Sequence, residues 1–559
     1  MTSIFKKLQV KPDGDIATVD FLRNRDLIPM GPPRRLWGYQ AFFSYWTLVD
    51  CCIVIWAAAA SLLSIGLNVK ETIGIVIIGN CIVATLSCLN SAPGYYYHIG
   101  FTVSQRILFG IRGSYFGIAM RTILSIVWYA SQAWLGGLCL GLIFSCFSKK
   151  YLYMENTFPE SVHMSTRDFI SFLIFHLISI PILCIKPEKI THFLKFAAAA
   201  TFFGMLGTFI WAINKGGLGP LVSAPSNFET TADHAWAWIY GITSWVGSIS
   251  AGITNSSDFT RFSKTRWVSI APTTISLLVM GTIIPVFGIL SGSATTAIYG
   301  EAIWQPNKIA EKWLLEDYSA TSRAGAFFAG VSFLCSQLAL NLVGNGIAGG
   351  MDMAGLFPHY INVRRGALVT ALVSWVIQPW LFYNTSSTFV VVMASFSIFM
   401  APIIGILVSE FWIIRRKHLK LSDLYSMKPS GNYWYWKGIN VKSYVIFFIV
   451  STPALPGLIH GANPNIKISK GLHNYYNGNC IFGFFIAVLL NLVISYIFPA
   501  KGIHETDDAD YFDTFTKEEC EELGIIPYSE IDHDADVDVD VDVDIVSEIV
   551  SPYKESEKV

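Results

Sequence analysis

"YWTLVDCCIVIW", residues 45–56, sets a single carboxylate, Asp50, in a run otherwise made of aromatic, aliphatic and small side chains. Such a run suits lipid or a protein core, and an acid kept there is costly unless it has a partner or a task. Composition decides between the two settings. Of 559 residues, 53% are hydrophobic and only 14% are charged, against about 25% charged in an ordinary soluble domain. The run is therefore read as part of a membrane span, and Asp50 as an intramembrane acid.

A helix needs about 20 residues to cross roughly 30 Å of hydrocarbon. Stretches that meet this need lie at residues 39–65, 71–92, 115–147, 167–185, 191–213, 235–254, 268–291, 325–356, 367–385, 387–413, 443–460 and 478–498. They lack the alternation of barrel strands, so the expected fold is an all-α integral membrane bundle of about twelve helices. Residues 1–38 form a segment before this transmembrane domain (39–498), and residues 499–559 an acidic tail after it. The tail holds "DADVDVDVDVD", residues 534–544, which lacks the glycine turn and closing glutamate of a calcium loop. It reads as a low-complexity, largely disordered segment.

The N-terminal segment is charged throughout and lacks the apolar core of a secretory signal, so the first span is expected to direct targeting. Basic residues gather there (Lys6, Lys7, Lys11, Arg34, Arg35), between spans two and three (Arg106, Arg112), and after span six (Arg261, Lys264, Arg266). They gather again after span eight (Arg364, Arg365) and after span ten (Arg415, Arg416, Lys417, Lys420). All fall on one side if both termini are cytoplasmic. A net charge of −1 without a basic surface argues against a nucleic-acid partner. The ten cysteines are scattered without a CxxC pair and read as packing residues rather than disulfides or metal ligands. No HExxH, P-loop or nucleophile elbow points to an enzyme.

Polar groups within the spans carry the functional signal. In "ILSIVWYASQAWLGGLCL", Trp128 and Gln132 stand four residues apart, which puts a flat ring and an amide on one helix face. In span six, Trp245 is flanked by Gly241, Gly247 and Gly252, which permit close approach and local unwinding. Span eight reads "QLALNLVGNGIAGGMDMAG" (337–355), polar and glycine-rich, with Asn341 and Asn345. Each has a plain alternative: an interfacial tryptophan, an amide joining helices, glycines for tight packing. Together they fit the broken, cavity-lining spans of a transporter's mid-membrane site.

The motifs "GFTVSQRILFGIRGS" (100–114), "WYASQAWLGG" (128–137), "NSSDFTRF" (255–262), "PWLFYNTSSTF" (379–389) and "SEFWIIRRKHLKLSDLY" (409–425) resemble those of the nucleobase–cation symporter-1 family. The resemblance is to its fungal uracil, allantoin, uridine, thiamine and nicotinamide riboside permeases, and it covers residues 20–530. It implies a LeuT-like fold of two inverted five-helix repeats plus two C-terminal helices. It further implies a ring sandwiched by Trp128 and Trp245, with Gln132 and Asn345 reading its polar edge and Cys52 at the span-one contact. The implied partner is a small planar nitrogen heterocycle. The implied location is the plasma membrane, with the cytoplasmic termini open to ubiquitin and endocytic machinery. No cofactor is expected.

Sodium-coupled relatives use paired hydroxyls in span eight; those positions fall on Ala339 and Leu340 here, which offer no oxygen to a hard cation. Proton coupling is the expectation instead, with Asp50 and Asp352 as candidate acids. For Asp50 three roles stay open: a protonated structural acid, a proton site, or a counter-charge to a cationic ligand. The expected function is secondary transport of the heterocycle by proton symport with alternating access. The alternative is a non-transporting nutrient sensor of the same fold, and a channel would instead need charged rings or carbonyl filters.

Overall fold

The computed structural model describes residues 9–11, 19–185 and 191–531. Span one begins as α1 (Tyr39–Asp50) and stops at the acid. Cys51 and Cys52 leave helical geometry, with ψ at 67° and 161°, before α2 (Ile53–Ser61) resumes the path. The two halves are bent by 48°. A break inside a membrane frees backbone carbonyls that must find donors, and Ser336 Oγ donates to the Cys51 carbonyl at 3.0 Å.

α3 (Val69–Asn90) starts at a capping box in which Asn68 and Glu71 each accept from the other's backbone N–H, satisfying two orphan donors. α4 (Ser114–Phe147) and α5 (Thr166–Leu183) follow, then α6 (Thr191–Gly216) and α7 (Thr231–Thr254). α7 runs unbroken, so the unwinding expected at its glycines does not occur. Gly247 instead lets the Met393 backbone approach closely.

α8 (Arg266–Tyr299) carries Pro272 and Pro285 in its interior. Span eight is α9 (Ala320–Leu340), a π-helical segment over Asn341–Ile347, and α10 (Ala348–Leu356). The widened turn there departs from the α ladder at the asparagine- and glycine-rich sequence, as π segments at functional sites do. α11 (Val363–Val373), α12 (Ser386–Val408), α13 (Val441–Ser451) and α14 (Asn479–Ile497) complete the bundle. α8 packs on α1, α2 and α3, α4 on α5 and α9, and α7 on α3 and α12.

Among the described residues nine helices are long and apolar enough to cross a membrane, or ten with the bent α1–α2 pair. The expected twelve are not all met on that basis. α7 is long enough but too polar, and the ninth expected span holds only the 11 α-helical residues of α11 before short 3-10 turns. Both described ends nevertheless lie on one face, because Arg35, before α1, binds Glu519, beyond α14. That requires an even number of crossings.

The tail reading needs correction up to residue 531. Residues 517–523 form α15 (Lys517–Leu523), opened by a Thr516–Glu519 capping box and closed at Gly524. Glu519 is bonded by Arg35 Nη1 at 2.8 Å and lies 3.3 Å from His98 Nε2, while Arg35 Nη2 donates to the Thr514 carbonyl. Asp507 accepts from the Ser422 N–H at 3.1 Å, and Arg266 pairs with Glu522 at 2.6 Å. This part of the tail is a packed cap rather than a disordered segment. The repeat at 534–544 lies outside the described residues.

Candidate functional site

The span-one break, α4 and the π segment meet at one place. The Gln132 side chain of α4 lies beside Cys52 at the break. One turn earlier on α4, Trp128 sets its ring 5.3 Å from that of Phe396 on α12. Its carbonyl accepts from Asn345 Nδ2 at 3.4 Å, and the same amide nitrogen donates to Asn341 Oδ1 at 3.1 Å. Trp128, Gln132, Cys52 and Asn345, singled out in sequence, are thereby brought together. In this cluster Trp128 Nε1, Gln132 Oε1 and Asn341 Nδ2 are buried without a hydrogen-bond partner. An unmet buried polar group costs about 1–3 kcal/mol, so two donors and one acceptor stand ready for a polar edge.

Trp245 sits differently. Its Nε1 donates to Asn80 Oδ1 at 2.9 Å, and its ring is seated over Gly79, where any Cβ would strike it. Among the described residues no ring contact joins Trp128 to Trp245. The Trp245 indole N–H is held by Asn80, so Trp245 belongs to a second cluster around that amide.

That second cluster contains Asp50. Its Oδ2 accepts from Ser276 Oγ at 3.2 Å, and Ser276 Oγ lies 3.2 Å from Thr47 Oγ1. Its Oδ1 is buried and unpartnered. At the break Cys52 thus meets α4 and Asp50 meets α8. Asp352 has another environment. Arg121 of α4 forms an ion pair with it, and Ser125 Oγ donates to it at 3.0 Å. The structure separates the two acids, one bound to a guanidinium and one with only a hydroxyl.

Asn80 and Phe396 were missed by the sequence reading, whereas Asn341 was marked there only as part of a polar run. Asn80 had a visible signal: it is a lone amide in the apolar run "GIVIIGNCIVATL", as Asp50 is a lone acid in its own. Ala339 and Leu340 are buried and bring no side-chain oxygen to span eight, while Ser336 is bonded to the Cys51 carbonyl.

A family model described as permease for cytosine/purines, uracil, thiamine and allantoin matches residues 29–483. The chain belongs to that permease family. The thiamine transporter of Saccharomyces cerevisiae is 40% identical over 524 residues, covering 94% of this chain and 87% of its own. Nicotinamide riboside transporter 1 of the same yeast is 39% identical with the same coverage. Its uracil permease is 31% identical over 494 residues, covering 86% and 77%. Among solved structures, inward-facing Mhp1 matches with a TM-score of 0.66 at 20% identity, over 87% of this chain and 96% of Mhp1. Closed Mhp1 with bromovinylhydantoin bound matches at 0.66 over 90% and 99%. The likeness to Mhp1 establishes the all-α, LeuT-like transporter fold of the permease. The permease is a multi-pass membrane protein and a secondary transporter of the nucleobase-permease type.

Proposed function

We propose that the permease imports a small planar nitrogen heterocycle across the plasma membrane by alternating access, with both termini cytoplasmic and a proton as the coupling ion. The observation that carries the reading is the unpaired set Trp128 Nε1, Gln132 Oε1 and Asn341 Nδ2 beside the Trp128 and Phe396 rings. Aromatic faces contribute on the order of 1–3 kcal/mol per stacked ring and accept many heterocycles. Buried amides discriminate, because a wrong ligand leaves them unmatched. Ring faces also attract cations. The greater identity to the thiamine and nicotinamide riboside transporters than to the uracil permease makes cationic heterocycles the first class to test.

Proton coupling is supported by the contrast between the acids. Asp352 is held by Arg121, whereas Asp50 has no cation bonded to it among the described residues and faces away from the Trp128 cluster. Asp50 is therefore assigned the proton rather than the ligand's charge. Uptake of radiolabelled thiamine, nicotinamide riboside, uracil, uridine and allantoin in cells lacking their own permeases tests the whole reading. At least one cationic ligand should accumulate, faster at acidic external pH. Accumulation of none of the five, or uptake indifferent to external pH, would overturn it.

A further inference from the structure

Asn80 is placed so that it can read the state of Asp50. Pro285 lacks an N–H, so the carbonyl of Gly281, four residues earlier in α8, has no helical donor. Asn80 Nδ2 supplies one at 2.5 Å and also reaches Thr282 Oγ1 at 3.2 Å. With its nitrogen held there, the amide turns its oxygen to Trp245 Nε1, 2.9 Å away. Asn80 thus binds α3 to α8 through one atom and to α7 through the other.

Gly281 also keeps open a gap between that amide and the acid. A Cβ at Gly281 would stand 3.4 Å from Asp50 Oδ1, 3.4 Å from Asn80 Nδ2 and 3.5 Å from Asn80 Oδ1. The unpartnered oxygen of Asp50 and both ends of the amide therefore border one space with no side chain in it. The groups around Asp50 are uncharged: Ser276 and Thr47 hydroxyls, the Cys51 and Cys52 thiols and the Asn80 amide.

We propose that Asn80 is the positioning residue that couples the proton on Asp50 to the setting of Trp245, through the gap at Gly281. The proposal rests on the assignment of the proton to Asp50. A protonated carboxyl can donate, whereas an ionised one only accepts. When Asp50 loses its proton, its free oxygen draws the Asn80 amide N–H across the gap. That move takes the amide from the Gly281 carbonyl and turns its oxygen off the Trp245 indole. When Asp50 is protonated, the amide returns to the arrangement described here and holds the indole. Both amide hydrogens are already engaged, by the Gly281 carbonyl and Thr282 Oγ1, so a bond to Asp50 forms only by giving one up and shifting the amide, which couples proton and substrate.

Gly281→Ala tests this with little disturbance, since a methyl group there meets Asp50 and Asn80 at ordinary contact distance while filling the gap. Purified permease in liposomes is assayed with radiolabelled thiamine, and with nicotinamide riboside in parallel, for exchange without a gradient and for accumulation under an inward proton gradient. Wild type should accumulate about tenfold more per pH unit of gradient, as one coupled proton requires. Gly281→Ala should keep exchange within about twofold while its accumulation ratio stays near one. Asn80→Ala and Trp245→Phe break the bond from either end and should lose gradient response relative to their own exchange rates.

If Asp50→Asn is uncoupled while Gly281→Ala and Trp245→Phe accumulate normally, the Asn80 role is wrong and the Asp50 assignment stands. If Asp50→Asn itself accumulates normally, the proton assignment fails and the relay with it. Exchange and accumulation falling in proportion in all three relay variants would mark Asn80 as merely structural and overturn the proposal.

Discussion

Replacing Asp352 by Asn separates a structural ion pair from a titrating acid. Asp352 is fully buried, Arg121 keeps about 2% of its side chain exposed, and Ser125 adds a second donor to the same carboxylate oxygen. The substitution preserves shape and one acceptor, yet strands a guanidinium in the membrane interior. Breaking a buried pair from one side costs roughly 3–5 kcal/mol. Asp258 also acts on Arg121 electrostatically, which places the expected loss near the lower end, about 3 kcal/mol. Set against a typical net stability of about 5–15 kcal/mol, that is a large share. A fluorescent fusion followed by size-exclusion chromatography after heating should show the melting midpoint lowered by about 2–3 °C. Arg121→Met combined with Asp352→Leu should recover most of the loss, because removing both charges avoids the stranded cation. Full thermal stability of Asp352→Asn together with loss of pH-driven accumulation would refute the reasoning and make Asp352 a proton carrier.

Trp128→Ala should raise the KM for the transported heterocycle roughly five- to a hundredfold, as the loss of one stacked ring implies, with surface expression unchanged by fluorescence. Gln132→Ala and Asn341→Ala should reorder inhibition across a panel of heterocycles more than they reduce protein; an unchanged order in a competition assay would remove them from the site. In the cap, burial and the Arg35 charge lower the His98 pKa below 6.5 despite Glu519, so its contribution holds above that value and is lost as pH falls below it. Burial opposes ionisation of Glu519, but its bond to His98 and the charges of His98 and Arg35 outweigh this and hold its pKa at about 2 against 4.5. The Glu519 contribution is therefore present above about 4.5 and lost as pH falls toward 2. Hydrogen exchange over residues 505–530 should accordingly rise in two acid steps, and His98→Gln should remove the first.

Much of the bundle was legible because a membrane span is a property of a window of residues. The apolar runs at 115–147 and 268–291 needed no partners to be recognised, and they appear as α4 and α8. Trp128, Gln132 and Asn345 were legible for the related reason that polar groups are rare enough in such runs to stand out. What each polar group bonds to was not legible. Trp245 and Trp128 look alike in sequence, yet one indole N–H is held by Asn80 and the other is unpaired. Asp50 and Asp352 look alike too, and only the approach of Arg121 from another helix distinguishes them.

Prolines supply the link between these two levels. Within lipid, a carbonyl freed by a proline lacks its helical donor, and at two interior prolines a polar side chain from another helix supplies one. Pro285 frees the Gly281 carbonyl, and Asn80 of α3 answers it at 2.5 Å. Pro402 frees the Ile398 carbonyl in α12, and Ser451 of α13 answers it at 2.9 Å. Read alone, Asn80 and Ser451 are stray polar residues in apolar spans. Paired with the prolines, they are the donors that meet two freed carbonyls, and they differ in one respect that bears on function. The Ser451 hydroxyl answers a carbonyl and lies far along the chain from any unpaired acid, whereas the Asn80 amide has a second end, and that end holds the indole of Trp245 beside the open oxygen of Asp50.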